Sequence, residues 1–134
     1  MAVIDASVYI ALMNAHESHY ASSWAWFQQT QWAGETISAP VILLAELAAG
    51  LSRGLGQPAL ANQAVQQLLQ AQLIDLVPIS STLAERAAAI AAAYQIRGCD
   101  AIYVALAEQL GDELVTLDQQ QLERGAAVVT ARRP

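Results

Sequence analysis

The sequence predicts an α/β fold in a single domain: a three-layer α/β/α sandwich built on a five-stranded parallel sheet. Short apolar segments with strand character alternate along the chain with segments of helical periodicity. Strands separated by helices are joined by crossovers, and they form parallel sheets covered on both faces. The 134 residues show no repeat or linker, which favours one domain, 1–134, with a single core.

The predicted strands are short and are bounded by polar residues, glycine or proline. They are 3–5, 36–39, 73–79, 113–117 and 126–131. The predicted helices lie between them and are 7–14, 16–31, 41–53, 59–72, 82–94, 100–110 and 119–124. At least one helix therefore separates each strand from the next.

The first helices have aromatic and proline signals. Tyr20, Trp24 and Phe27 follow helical spacing. We expect Trp24 and Phe27 to pack in the core, and Trp26 to point elsewhere. Pro40 suits the first turn of the third predicted helix.

The later helices have apolar faces and capping signals. The predicted inward face of the fourth helix consists of Leu60, Val65, Leu68 and Leu69. Thr82 and Glu85 have the spacing of a capping box that opens the next helix, and Gly98 is predicted to break it. Cys99 is expected to be a small buried residue.

Composition excludes several classes of protein. With 55% hydrophobic residues and 13% charged residues, the chain is not disordered. The best apolar stretch, 39–51, is interrupted by Glu46 and is too short to span a membrane. The N-terminus has no basic leader, so no signal peptide is predicted. A single cysteine excludes an internal disulfide, and we expect a cytoplasmic protein.

The charge balance is unusual for a nucleic-acid-binding protein. The net charge is −6, and all six basic residues are arginines. A basic stripe, the common signature of nucleic-acid binding, is missing. An RNA substrate would therefore require bound cations or a few well-placed arginines.

Four carboxylates are candidates for a shared site. Ligand sites in such sheets lie at the carboxyl ends of strands, where Asp5 closes the first predicted strand and Asp118 closes the fourth. Asp100 begins the helix before the fourth strand, and Glu46 lies in the helix after the second. If the strand order switches between the first and fourth strands, Asp5 and Asp118 converge.

Glu46 is the most informative of the four. Its helical neighbours are all apolar: Ile42, Leu43, Ala49 and Gly50. An unpaired buried carboxylate is costly or is forced to protonate. Because the chain has no lysine, an arginine or a metal ion must compensate it, and oxygen ligands suit Mg²⁺ or Mn²⁺.

Each carboxylate also has a purely structural interpretation. Asp5 and Asp100 are each placed to cap a helix. Asp118 and Gln121 have capping-box spacing, and Glu46 could face solvent at a rim. These alternatives stay open, but none explains why the carboxylates fall where a doubly wound sheet would gather them.

Several segments carry a resemblance to a known family. They are Val3-Ile4-Asp5-Ala6-Ser7, Leu44-Ala45-Glu46-Leu47, Asp100-Ala101-Ile102-Tyr103-Val104-Ala105-Leu106-Ala107 and Leu114-Val115-Thr116-Leu117-Asp118. In this order they resemble the PIN-domain nucleases, most closely the VapC-type toxins of bacterial toxin–antitoxin pairs. The stretch from Asp100 to Asp118 is the most distinctive.

The resemblance implies roles for particular residues. The acidic quartet that is catalytic and holds one or two divalent ions, Mg²⁺ or Mn²⁺, would be Asp5, Glu46, Asp100 and Asp118. Ser7 and Thr116 would support the site through hydrogen bonds. Arg97, the arginine nearest in sequence to a predicted ligand, is a candidate RNA phosphate contact. The family often has an aromatic residue shortly after the last aspartate, where this chain has Gln121 and Leu122.

The implied function is metal-dependent endoribonuclease activity in a toxin. The implied partners are an RNA substrate, a protein antitoxin and a second copy of the chain, with no membrane. The alternatives are a PIN-like module that binds RNA or protein without cutting, and a housekeeping RNA-processing nuclease. Receiver domains and haloacid-dehalogenase-type phosphatases normally need a lysine near the site, which this chain lacks.

Overall fold

The structure, a computed structural model, describes residues 1–134 as five strands and seven helices. The strands are β1 (Ala2–Ile4), β2 (Ile37–Pro40), β3 (Asp75–Val77), β4 (Glu113–Val115) and β5 (Ala131–Arg132). The helices are α1 (Ala6–Met13), α2 (Tyr20–Trp32), α3 (Leu43–Leu55), α4 (Pro58–Ala71), α5 (Ser81–Tyr94), α6 (Gly98–Leu110) and α7 (Gln119–Gly125). None of these helices combines the length and the apolar character needed to cross a membrane.

The five strands form one parallel sheet in the order β3-β2-β1-β4-β5. The predicted fold class is confirmed. The chain runs from β1 outward to β3 and then returns across the sheet to β4, so the order switches beside β1. In the β1–β4 register Ile4 lies opposite Val115. The residues that follow these two strands therefore meet at the same edge of the sheet.

The helices form two layers. Helices α1 to α4 pack with one another, and α5 to α7 form a second group. Because crossovers between parallel strands are right-handed, the reversal of direction after β3 places these groups on opposite faces of the sheet. Helix α6 packs against β1, β2 and β4, and its residues 103–107 are all buried.

All five strands end one or two residues away from the predicted ends, and the differences at β4 and β5 matter most. β4 stops at Val115, so Asp118 lies three residues beyond the strand rather than at its end. The prediction of a strand at 126–131 was wrong for most of its length, since β5 contains only Ala131 and Arg132. The backbone N–H groups of Val128 and Val129 both bond to the carbonyl of Gly125, which keeps this stretch in turns.

Two helices begin later than predicted. Residues 14–19 form turns because side chains bond to the backbone: Asn14 accepts from the N–H of His16, and Glu17 accepts from that of His19. Pro40 ends β2 and does not start α3, because the N–H of Val41 continues the sheet by donating to the carbonyl of Val77.

The buried face of α4 and the ends of α5 also differ from the predictions. α4 buries Ala61, Ala64 and Leu68, whereas Leu60 and Leu69 are exposed. The first turn of α5 is capped by Ser80 and not by Thr82, since the hydroxyl of Ser80 accepts from the N–H of Leu83. That helix stops at Gln95, which has a left-handed backbone, and Gly98 instead begins α6.

The structure also differs from three predictions about the burial of side chains. Trp26 is buried beside Phe27, whereas Trp24 is half-buried and donates its indole N–H to the carbonyl of Leu12. Cys99 is exposed, not buried.

Candidate active site

Asp5 follows β1 at the point where the strand order switches. Its side chain is only 5% exposed. Oδ1 accepts a hydrogen bond from the hydroxyl of Ser7 at 2.5 Å, and Oδ2 accepts one from the hydroxyl of Thr116 at 2.9 Å. Asp5 precedes α1 but makes no side-chain capping bond there. The capping interpretation of Asp5 is therefore wrong.

Ser7 and Thr116 connect Asp5 to the segment that follows β4. The Ser7 oxygen accepts from the N–H of Leu117, and the Thr116 oxygen accepts from the N–H of Asp118, each at 3.0 Å. Each hydroxyl thus donates once and accepts once. The two predicted supporting hydroxyls both touch Asp5, and together they fix its orientation relative to residues 117 and 118.

Asp118 uses its two carboxylate oxygens differently. Oδ1 accepts from the N–H of Gln121 at 2.8 Å and caps α7. Oδ2 accepts from a guanidinium nitrogen of Arg97 at 3.1 Å. The capping interpretation is therefore correct for one oxygen, while the other oxygen remains available to a cation.

Asp100 lies inside the first turn of α6 rather than at its cap. It is 8% exposed, and its Oδ2 accepts from Nε of Arg97 at 2.9 Å. Burial raises the pKa of Asp100, while the hydrogen bond and charge of Arg97 lower it. An acidic group in the first turn also interacts favourably with the helix dipole.

Glu46 lies in the first turn of α3 and is partly buried. Its Oε1 is buried without a hydrogen-bond partner, and so is the hydroxyl of Tyr103. Burial raises the pKa of Glu46, the nearby Tyr103 hydroxyl lowers it, and the charge of Asp100 raises it further. The two groups are close enough to influence each other, but no bond of good geometry joins them. Glu46 therefore has an oxygen that still needs a donor or a cation.

The carboxylates also act on one another. Burial raises the pKa of Asp5 to about 6, the bonds from Ser7 and Thr116 oppose that rise, and the charges of Asp100 and Asp118 add to it. Asp5, Asp100 and Asp118 thus form a negative region at the switch point. Glu46 adjoins this negative region, because the charge of Asp100 raises its pKa. Arg97 is the basic side chain in contact with the region.

The donor chemistry fits a hard divalent cation. Every candidate ligand is a carboxylate oxygen, as Mg²⁺ and Mn²⁺ prefer, and Glu46 Oε1 lacks a partner. In this conformation, however, no three acidic, histidine or cysteine side chains converge to ligating distance. The four cavities of the protein are lined by other residues.

Two residues of this region were missed by the sequence analysis. Tyr103 stands three residues after Asp100 and so shares its helical face, a spacing that could have indicated it. Gln121 is fully buried, and its amide group donates to the backbone carbonyl of Asp100 at 3.4 Å. The long-range contact of Gln121 left no signal in the sequence.

Comparisons with known proteins agree with this architecture. The model of the PIN domain family matches residues 2–127. Comparison with curated protein sequences gave no match. Among solved structures, the chain is similar to VapC20 of Mycobacterium tuberculosis, described as a sarcin-ricin loop cleaving toxin. The two are 19% identical with a TM-score of 0.78, and 100% of each chain is covered.

Two further solved structures have similar folds. VapBC2 of Rickettsia felis, bound to a DNA fragment from its promoter, matches with 14% identity and a TM-score of 0.76, over 99% of this chain and 98% of the other. FitAcB of Neisseria gonorrhoeae matches with 20% identity and a TM-score of 0.76, over 100% and 98%. With the family match over nearly the whole length, the chain belongs to the PIN domain family.

Proposed function

We propose that this chain is a metal-dependent endoribonuclease that hydrolyses RNA phosphodiester bonds, and that it is the toxin of a type II toxin–antitoxin pair. One observation carries the proposal. The buried carboxylate of Asp5 lies at the switch point of the sheet, is held by two hydroxyls, and experiences the charges of Asp100 and Asp118. A buried carboxylate among other carboxylates is costly to keep charged unless a cation binds beside it.

The proposed ligands of Mg²⁺ or Mn²⁺ are Asp5, Glu46, Asp100 and Asp118. When bound, one or two such ions supply a water of lowered pKa and neutralise the charge that develops on the phosphate and the leaving oxygen. Ser7 and Thr116 hold Asp5 in one orientation, so the carboxylate need not reorganise when a cation arrives.

Arg97 is the proposed phosphate contact. Its side chain is 67% exposed and lies beside Asp100 and Asp118. Because the net charge is −6, general attraction for RNA is weak, and the bound cation together with this arginine would have to supply the local positive charge.

The proposed partners follow from the family and the similar structures. VapC20 is described as a toxin that cleaves the sarcin-ricin loop, and a similar structure from Klebsiella pneumoniae is described as a toxin–antitoxin complex. By analogy we propose an RNA substrate, a protein antitoxin and a homodimer, acting in the cytoplasm. A short neighbouring gene that encodes a DNA-binding segment and a disordered tail would support the antitoxin.

The test is cleavage of end-labelled RNAs by the purified chain with Mg²⁺ or Mn²⁺, and with EDTA. Asp5→Asn removes the central charge while keeping the shape of the side chain. Asp75→Asn is the matched control, since Asp75 is exposed at the start of β3. We expect cleavage that requires the metal, survives Asp75→Asn and is lost in Asp5→Asn.

Other outcomes favour other functions. Cleavage that survives Asp5→Asn would place the chemistry elsewhere. RNA or protein binding without cleavage and without metal binding would favour a non-catalytic PIN-like module. Metal-dependent cleavage by a chain with no antitoxin partner would favour a housekeeping RNA-processing nuclease.

A further inference from the structure

The guanidinium group of Arg97 donates hydrogen bonds to two of the carboxylates. Nε donates to Oδ2 of Asp100, and a terminal nitrogen donates to Oδ2 of Asp118. Asp100 belongs to the first turn of α6 and Asp118 caps α7. One cationic side chain therefore joins the two segments that carry these carboxylates.

The oxygen of Asp118 that Arg97 holds is the one a metal ion would need. Oδ1 of Asp118 is already used to cap α7 through the N–H of Gln121. Oδ2 is the oxygen of Asp118 with no backbone partner, and the guanidinium donates to it at 3.1 Å. Because two cations repel at such distances, a divalent ion bound to Oδ2 and the guanidinium in its present position compete with each other.

Arg97 lacks the paired contact that two other arginines of the chain make with a single carboxylate. Arg86 and Arg132 each direct Nε and a terminal nitrogen to both oxygens of a single carboxylate. Paired bonds of this kind are the stronger form of arginine–carboxylate contact. Arg97 makes one bond to each carboxylate and is 67% exposed, so its own charge returns easily to solvent, and the buried carboxylate of Asp100 then needs another cation.

We propose that Arg97 is a built-in counter-cation of the site: it offsets part of the negative charge of Asp100 and Asp118 in the metal-free protein, and an entering divalent ion displaces it. This inference rests on the proposed function, because it takes these two aspartates as ligands. Arg97 thereby lowers the affinity for the ion. Once displaced, its guanidinium extends into solvent near the site and has no carboxylate partner, so an RNA phosphate can bind it.

The test is calorimetric titration of Mn²⁺ and Mg²⁺ into the metal-free protein at low salt. Arg97→Gln removes the charge and keeps much of the side chain. Arg97→Lys keeps a charge but cannot span two carboxylates as a planar fork. Arg86→Gln is the matched control, because it removes an equal charge from an ion pair with Glu108, outside the site.

We expect Arg97→Gln to bind the ion about five- to tenfold more tightly than the wild type, since two exposed ion pairs no longer compete. Arg97→Lys should lie between the two, and Arg86→Gln should stay within about twofold of the wild type. In nitrogen-15 spectra of the wild type, the Nε–H signal of Arg97 should shift with added Mg²⁺ at the calorimetric midpoint, while that of Arg86 stays in place.

The outcomes separate the two proposals. If the wild type binds the ion and cleaves RNA, but Arg97→Gln binds the ion no more tightly, the counter-cation role is overturned and the proposed function stands. An equal gain in Arg97→Gln and Arg86→Gln would also overturn the role, because it would show only a general effect of charge. If neither the wild type nor any variant binds a divalent ion, both proposals fail.

Discussion

Thr116 donates its hydroxyl to Oδ2 of Asp5 at 2.9 Å, across the boundary between β1 and β4. The hydroxyl oxygen of Thr116 in turn accepts from the N–H of Asp118 at 3.0 Å. Thr116 is fully buried, so water cannot replace either bond. This hydroxyl therefore sets the position of Asp5 relative to Asp118.

Replacement of Thr116 by valine tests this relationship. Valine has nearly the same shape but no hydroxyl, so Oδ2 of Asp5 and the N–H of Asp118 both lose a partner. We expect the free energy of unfolding to fall by about 1–3 kcal/mol, and metal affinity and RNA cleavage to fall with it. Urea unfolding and metal titration measure the two effects. Thr116→Ser keeps the hydroxyl and should retain most of both properties; equal losses in serine and valine variants would contradict the argument.

The stability of the metal-free protein should depend on the ionisation of Asp5. Burial raises its pKa in the folded state to about 6, from 3.8 for the free side chain. The folded state therefore holds the proton more tightly than the unfolded state does. The contribution of this group to stability is fully present below pH 3.8 and is lost as the pH rises through about 6, a difference of roughly 3 kcal/mol.

Asp5→Asn isolates this contribution, because its side chain stays neutral at every pH. In EDTA, the variant should be more stable than the wild type at pH 7, and this advantage should shrink towards pH 4. Urea unfolding at both pH values gives the comparison. Added Mg²⁺ should stabilise the wild type by mass action but not the variant. A constant difference between the two proteins from pH 4 to pH 7 would refute the assignment.

The substitution Tyr103→Phe should change the pKa of Glu46 more than it changes the stability of the fold. The hydroxyl of Tyr103 has no hydrogen-bond partner, so its loss in Tyr103→Phe should change the free energy of unfolding by less than about 1 kcal/mol. Because this hydroxyl lowers the pKa of Glu46, its removal should raise that pKa and weaken metal binding, increasingly so as the pH is lowered. Calorimetry measures the affinity. Tyr9→Phe, at a buried tyrosine whose pKa is raised by burial alone, should leave metal binding unchanged.

Sequence patterns predicted the fold because alternating strands and helices leave few arrangements of a parallel sheet. The position of Asp5 at the end of the first strand followed from the apolar residues before it, whereas the switch of strand order beside that strand was only a condition of the prediction. The partial burial of Glu46 followed from its apolar helical neighbours. The element ends were less predictable. The side chains of Asn14 and Glu17 accept hydrogen bonds from nearby backbone N–H groups, so α2 begins later than predicted. Hydrophobic periodicity gives no information on such bonds.

Local sequence patterns could not predict the contacts of Arg97 and Gln121, and the reason is different. Arg97 reaches Asp118 across 21 positions, and the amide group of Gln121 reaches the carbonyl of Asp100 across the same separation. Both contacts exist only because the crossover after β3 brings the start of α6 beside α7. Proximity in sequence indicated Arg97 as a phosphate contact, but it could not indicate that two carboxylates hold it.

Asp118 combines a capping role with its proposed ligand role, and two substitutions can separate them. Asp118→Asn keeps an oxygen that accepts from the N–H of Gln121, and asparagine caps helices about as well as aspartate. Asp118→Ala removes the cap and the charge together. We expect the asparagine variant to unfold with nearly the free energy of the wild type, and the alanine variant to lose about 1 kcal/mol.

Both variants of Asp118 should lose metal-dependent cleavage, because both remove the charge at Oδ2. Urea unfolding and RNA cleavage, measured on the same preparations, make the comparison. If Asp118→Asn cleaves like the wild type while Asp118→Ala does not, the residue acts only as a helix cap and the ligand set must be drawn without it.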